Sequence, residues 1–142
     1  MATPPGIEEL EQSTCWQLLR DNEVGRLAVS IAEHPDIFPI NYVVDHGTVV
    51  FRTNEGTKLA GAVLGLAVAF EVDGYDPERG EAWSVVVKGR AAEVEQLLGR
   101  FDVADLPLFP WHAGPKFRVV RIEPDEVTGR RFLVVEDRRP VH

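Results

Sequence analysis

The stretch VGRLAVSIAEHPDIFPINYVVDHGTVVFR, residues 24–52, decides the fold. Its apolar residues recur at every second position and are rich in Val, Ile, Phe and Tyr, the pattern of half-buried strands rather than helices. Val24–Ile31 and Ile37–Val44 read as two strands separated by Glu33-His34-Pro35-Asp36. Asp45-His46-Gly47 then turns the chain into a third strand, Thr48–Arg52. Connections this short join antiparallel neighbours, so the three strands form a meander. Pro39 lies inside the second strand and has no N–H for a ladder bond. It therefore marks an edge, a bulge, or a place where something other than a strand, such as a flat ligand, faces the backbone.

The third strand runs on into VVFRTNEGTKLA, Val49–Ala60, which passes from strand to helix. Asn54-Glu55-Gly56 breaks the strand, Thr57 suits an N-cap, and Leu59, Ala62 and Val63 follow at helical spacing. The first turn of such a helix presents unpaired N–H groups and the positive end of the macrodipole, which together attract anions. With Lys58 inside the turn and Arg52 just before it, the junction can cradle a phosphate monoester. The same residues also fit a plain structural reading, in which Thr57 only caps and Lys58 and Arg52 are solvated cations.

Further out, residues 1–6 read as a Pro-rich tail and Ile7–Asn22 as containing one short helix. Thr14 and Gln17 there have capping-box spacing, with Cys15, Trp16, Leu18 and Leu19 on an apolar face. Cys15 reads as a core residue rather than a nucleophile, because no neighbouring base lowers its thiol pKa. After the helix at about Thr57–Leu64, Leu66–Val72 alternates again, and Gly74–Gly80 is a charged loop. Ala82–Val94 is the longest strand signal, with Gly89 as a candidate kink. Gln96–Asp102 reads as a short helix and Leu106–Pro115, LPLFPWHAGP, as an aromatic loop. Lys116–Ile122 is a strand, Pro124–Gly129 a turn and Arg131–Val135 a last short strand. About seven strands with two or three short helices, joined mostly by short connections, predict a mainly β protein closed as an antiparallel barrel.

The 142 residues, 44% of them hydrophobic, fit one domain spanning 1–142 with short tails at about 1–6 and 136–142. The formal charge of -8, with basic residues scattered among acidic ones, argues against nucleic acid or an anionic membrane as partner. The single Cys15 forms no internal disulfide, no apolar run reaches membrane-spanning length, and MATPPGIEEL lacks the pattern of a signal peptide. The expected location is the cytoplasm. His34, His46, His112 and His142 are too dispersed for a metal site.

The segments LLRDNEVGRLAVSI, FPINYVV, VVFRTNEGTKLAGAV, AVAFEVD, WSVVVKGRA and FRVVRIEPDEVTGRRF resemble, in order and spacing, the pyridoxamine 5′-phosphate oxidase-like family. The resemblance covers about Leu18 to Phe132. It implies an antiparallel Greek-key split barrel of the FMN-binding type, and a homodimer with flavin at the interface. By the resemblance, Arg52 and Thr53 at the end of the FRT-type strand, with Thr57 and Lys58, hold the FMN phosphate. Pro39, Ile40, Asn41 and Tyr42 run beside the isoalloxazine. Trp83 and Trp111 either stack on a ring or line the pocket, ordinary burial being the other reading for Trp83. His112, next to Trp111, is a candidate proton donor.

The family's oxidases carry a C-terminal basic segment for a substrate phosphate, which Arg138 and Arg139 in EDRRPVH do not reproduce. The expected activity is therefore a flavin-dependent oxidoreductase acting on a small planar acceptor rather than on pyridoxamine phosphate. Such chemistry is carried by the flavin and requires no catalytic side chain, and none is nominated. Two alternatives stand beside it. A deazaflavin-dependent reductase would need a more extended basic groove than the compact Arg52/Thr57/Lys58 site. A non-catalytic flavin or haem carrier or sensor on the same barrel could use His112 as an iron ligand.

Overall fold

The computed structural model describes residues 6–54, 64–94 and 117–134. Within them the chain runs β1 (Ile7–Glu9), α1 (Gln12–Asp21), β2 (Val24–Ile31), β3 (His34–Val44), β4 (Val49–Asn54), β5 (Ala67–Asp76), β6 (Glu81–Glu93) and β7 (Phe117–Leu133). The strands pair in the order β1-β7-β4-β3-β2-β5-β6, and β6 also pairs with β7, which closes β2 to β7 into a ring. These ladders are all antiparallel. After the β2-β3-β4 meander the chain returns to place β5 beside β2, the Greek-key order.

Strand alternation supplies the barrel interior. Leu27 and Val29 of β2, Ile40 and Tyr42 of β3, Val49 and Phe51 of β4, Phe70 and Val72 of β5, Val85 and Val87 of β6, and Val120 and Ile122 of β7 form one buried core. Helix α1 adds Cys15 and Leu19 to it. The Tyr42 hydroxyl donates to the Leu19 carbonyl, and its ring meets Phe70 edge-on at 4.8 Å. Burial pushes both the Tyr42 phenol and the Cys15 thiol up from their ordinary pKa values, Asp21 adding to the shift at Tyr42, so neither is poised to ionise.

The strand reading holds for β2 to β6, with differences at the connections. The β2–β3 turn is Ala32-Glu33, both residues at positive φ, and His34, Pro35 and Asp36 already belong to β3. Local preference favoured the Pro-Asp stretch, but the register that pairs Leu27 with Phe38 and seats Tyr42 against Phe70 moves the turn earlier. The turn at His46-Gly47 is as expected, again with two positive φ values. Helix α1 begins at Gln12 after Glu11, with no side-chain cap, so Thr14 lies inside the first turn and the capping box is not formed. The three-residue β1 was not foreseen.

Pro124–Gly129 is not a turn but the middle of the continuous strand β7. Pro124 is tolerated because the ladder shifts register there. Gly89 faces Pro124 and Lys88 faces Glu126, leaving Asp125 as the extra residue. The opposite edge of β7 is also without a strand at this point, since pairing with β4 ends at Ile122 and pairing with β1 begins at Arg130. Helix α1 covers the gap, Gln12 donating to the Val127 carbonyl.

Gly89, the expected kink, is the point of closest approach. A Cβ there would stand 2.0 Å from the Glu123 carbonyl oxygen and 3.0 Å from Pro124 Cα. Gly89→Ala is expected to destabilise the protein by about 1–3 kcal/mol through overpacking against backbone. It would appear as a lower urea midpoint at unchanged slope. A midpoint equal to that of the wild type would show that β6 and β7 can part there freely. The expected helices at about Thr57–Leu64 and Gln96–Asp102, the loop Leu106–Pro115 and the two tails lie wholly or mainly outside the described residues.

Candidate functional site

The barrel is split between β3 and β4. These strands pair only at Tyr42↔Phe51, Val43↔Val50 and Val44↔Val49. Beyond that, β3 stays with β2 back to His34, whereas β4 goes on with β7 to Asn54. The two strands diverge and leave a wedge whose apex lies at Asn41 and Arg52.

The direction of the backbone groups along this wedge follows from the ladder. The Tyr42 N–H donates to the Glu23 carbonyl, toward β2, while Asp45 and Thr48 exchange hydrogen bonds toward β4. Amides two residues apart point the same way. The Asn41 N–H, and the carbonyls of Pro39 and Asn41, therefore face the wedge. The missing N–H of Pro39 costs no bond to β2, which explains how a proline sits inside this strand.

Side chains follow the same alternation. Ile40 and Tyr42 point their side chains into the core and turn their backbone groups toward β2, whereas Pro39 and Asn41 lie on the outer face. The Asn41 amide is held by donation to the Glu23 carbonyl at 2.8 Å. On β4, Val49 and Phe51 face the core, so Arg52 is on the outer face beside Asn41, half-buried, with its Nε shielded from solvent. The Thr53 backbone pairs with Arg118. Thr57, Lys58, Trp111 and His112 lie outside the described residues.

Trp83 is not part of this group within one chain. It pairs with Arg131 of β7, while Arg52 pairs with Val119 of the same strand. The two are separated by roughly 40 Å of strand contour, at about 3.3 Å per residue. The Trp83 ring lies on Gly74, whose Cβ, if present, would be 2.5 Å from the indole Nε1.

Two polar clusters near the wedge escaped the sequence reading. At its closed end, Arg121 Nη2 contacts Asp45 Oδ2 at 2.9 Å and its Nε donates to Thr48 Oγ1 at 3.2 Å. The Asp45 side chain is 1% exposed and that of Arg121 8%. On the outer face of β2 and β5, Arg26 Nη1 lies 3.4 Å from Glu71 and 3.2 Å from Asp73. The only advance signal was the Asp-x-Gly-Thr turn for the first and the alternate acids of Glu71-Val72-Asp73 for the second. Among the described residues no group of His, Cys, Asp and Glu is arranged to hold a metal, and no helix is long and apolar enough to cross a membrane.

The chain was compared with known proteins. Residues 11–131 match the family model described as Pyridoxamine 5′-phosphate oxidase. An uncharacterized protein of Mycobacterium tuberculosis is 37% identical over 141 residues, covering 94% of this chain and 90% of that protein. The solved FAD binding protein from Mycobacterium smegmatis is 36% identical, with a TM-score of 0.69 over 89% of this chain and 98% of its own. A FAD-binding protein from Mesorhizobium loti is 26% identical, with a TM-score of 0.69 over 88% of this chain and 96% of its own.

Proposed function

The chain belongs to the pyridoxamine 5′-phosphate oxidase family, and from that premise we propose that it binds FMN in the wedge between β3 and β4 and serves as a flavin-dependent oxidoreductase on a small planar acceptor. The observation that carries this reading is the divergence of β3 from β4 at Asn41 and Arg52. The polar edge of a flavin ring carries one N–H between two carbonyls, so the Asn41 N–H can donate to one of those carbonyls while a neighbouring backbone carbonyl, of Pro39 or Asn41, accepts from the ring N–H. Arg52 at the apex, with Thr57 and Lys58 beyond it in sequence, suits the phosphate. The flavin supplies the hydride or electron transfer, and the chain binds it, orients it and limits water around it. Similarity to two proteins named for FAD binding supports a flavin over haem or a deazaflavin.

The charges around the wedge favour an acceptor without a phosphate. Arg26 is committed to Glu71 and Asp73, Arg121 to Asp45, and Arg118 stands 3.8 Å from Glu93. Among the described residues there is thus no second cationic cradle beside the first.

The test is the absorbance spectrum of the purified protein with FMN, FAD, deazaflavin and haem in turn, followed by anaerobic photoreduction and mixing with oxygen, quinones and nitroaromatics. Reoxidation of bound FMN by a planar acceptor is expected. Turnover of pyridoxamine phosphate to its aldehyde would overturn the assigned substrate class, and reoxidation by none of the acceptors would leave a carrier or sensor.

The proposal includes a homodimer. Val24 and Ile37, beside the open edge of β3, are 49% and 64% exposed, an apolar surface that a second copy would cover. Light scattering at micromolar concentration is expected to give twice the chain mass. A monomer that still binds flavin tightly would contradict a shared site.

A further inference from the structure

Strands β2 and β5 meet at three register pairs, Arg26↔Glu71, Leu27↔Phe70 and Ala28↔Ala69, one of the two shortest seams in the closed ring. Arg26↔Glu71 is its last rung. There a single arginine nitrogen lies 3.4 Å from Glu71 Oε1 and 3.2 Å from Asp73 Oδ2. Glu71 and Asp73 alternate along β5 and so share its outer face, and the Glu71 side chain is 33% exposed.

The surroundings add little compensating charge. Among the described residues of that face, β6 presents Val86 opposite Glu71 and Lys88 two rungs away, opposite Ala69. Lys88 itself stands opposite Glu126 of β7. Beyond Arg26, β3 presents the uncharged Pro39.

We infer that Arg26, Glu71 and Asp73 form a proton-operated latch on the β2–β5 seam. With Glu71 protonated, its carboxyl donates to Asp73, Asp73 pairs with Arg26, and the last rung is held. With Glu71 ionised, two carboxylates compete for one guanidinium and the rung loosens. The Glu71 pKa agrees with this geometry. Loss of solvent, then the hydrogen bond and charge of Asp73, push it up from 4.5 to about 7, with Arg26 opposing. Because the folded state holds this proton more tightly than the unfolded chain, the associated stability is fully present below about 4.5 and is lost as pH rises through about 7.

The test is a carboxyl NMR titration of Glu71 in the full chain. Its midpoint is expected near 7 in the wild type, lower in Asp73→Asn and higher in Arg26→Gln. A wild-type midpoint near 4.5 overturns the latch, and this measurement needs no variant to fold. Amide exchange at Arg26, Ala28 and Ala69, whose N–H groups face the β2–β5 seam, between pH 6 and 8 gives a second readout. It should accelerate beyond the intrinsic hydroxide dependence in the wild type and follow that dependence alone in Glu71→Gln. Parallel behaviour of the two proteins would also overturn the inference.

Discussion

Asp45→Ala is expected to lower stability by about 3–5 kcal/mol, because it leaves the Arg121 guanidinium buried without its carboxylate. For a chain of this size that is a fall in melting temperature of roughly 10–20 °C. The Asp45–Arg121 contact is 2.9 Å, and the Thr48 hydroxyl joins it by accepting from Arg121 Nε and donating to the Asp45 carbonyl at 2.6 Å. This network ties the β3–β4 turn to β7 at the closed end of the wedge, so that the strands can part at Asn41 and Arg52 without unravelling. His46, 3.4 Å from Asp45 but 65% exposed, contributes little beside it. Replacing both partners, Asp45→Leu with Arg121→Met, should recover most of the loss, since an apolar pair avoids desolvating two charges. Calorimetric melts of the single and double variants decide the matter. A single variant within about 1 kcal/mol of the wild type would show that water reaches Arg121.

The parts of this molecule that follow from nearest-neighbour pattern were legible in the sequence. Alternation marked β2 to β6, and His46-Gly47 marked its hairpin. Pro39 inside a strand called for an edge, a bulge or a non-strand neighbour, and the ladder leaves its wedge side without a strand partner among the described residues. Legibility failed where a distant partner overrides local preference. Pro124 and Gly129 look like turn residues, but a register shift and the docking of α1 make room for them in β7. Ala32-Glu33 has no turn chemistry of its own and turns because the core register requires it.

The same division runs through the site. Pro39 and Asn41 share the outer face of β3 and Arg52 takes the outer face of β4, as alternation along each strand requires. Ile40 and Tyr42 belong to the same motif but face the core, as strand parity dictates. The Asp45–Arg121 pair joins residues 76 positions apart, and no sequence periodicity announces such a contact.

Arg52→Ala is expected to weaken FMN binding by roughly ten- to a hundredfold, the loss of one charge-assisted hydrogen bond of about 1.5–3 kcal/mol. The substitution removes a cation from the outer face and leaves Phe51 and Val49 in place in the core. The ligand-free variant should therefore melt close to the wild type, which separates lost binding from lost folding. Lys58→Ala is expected to act in the same direction if both cations meet one phosphate, and raised salt should weaken the wild type more than either variant.

The most direct measurement is a flavin fluorescence-quenching titration with FMN on the wild type and Arg52→Ala in parallel. Saturable quenching by the wild type, with a dissociation constant ten- to a hundredfold higher for the variant, is the predicted result. Equal binding by the two proteins, or no saturable binding by the wild type, would contradict the assignment of the wedge between β3 and β4 as the flavin site.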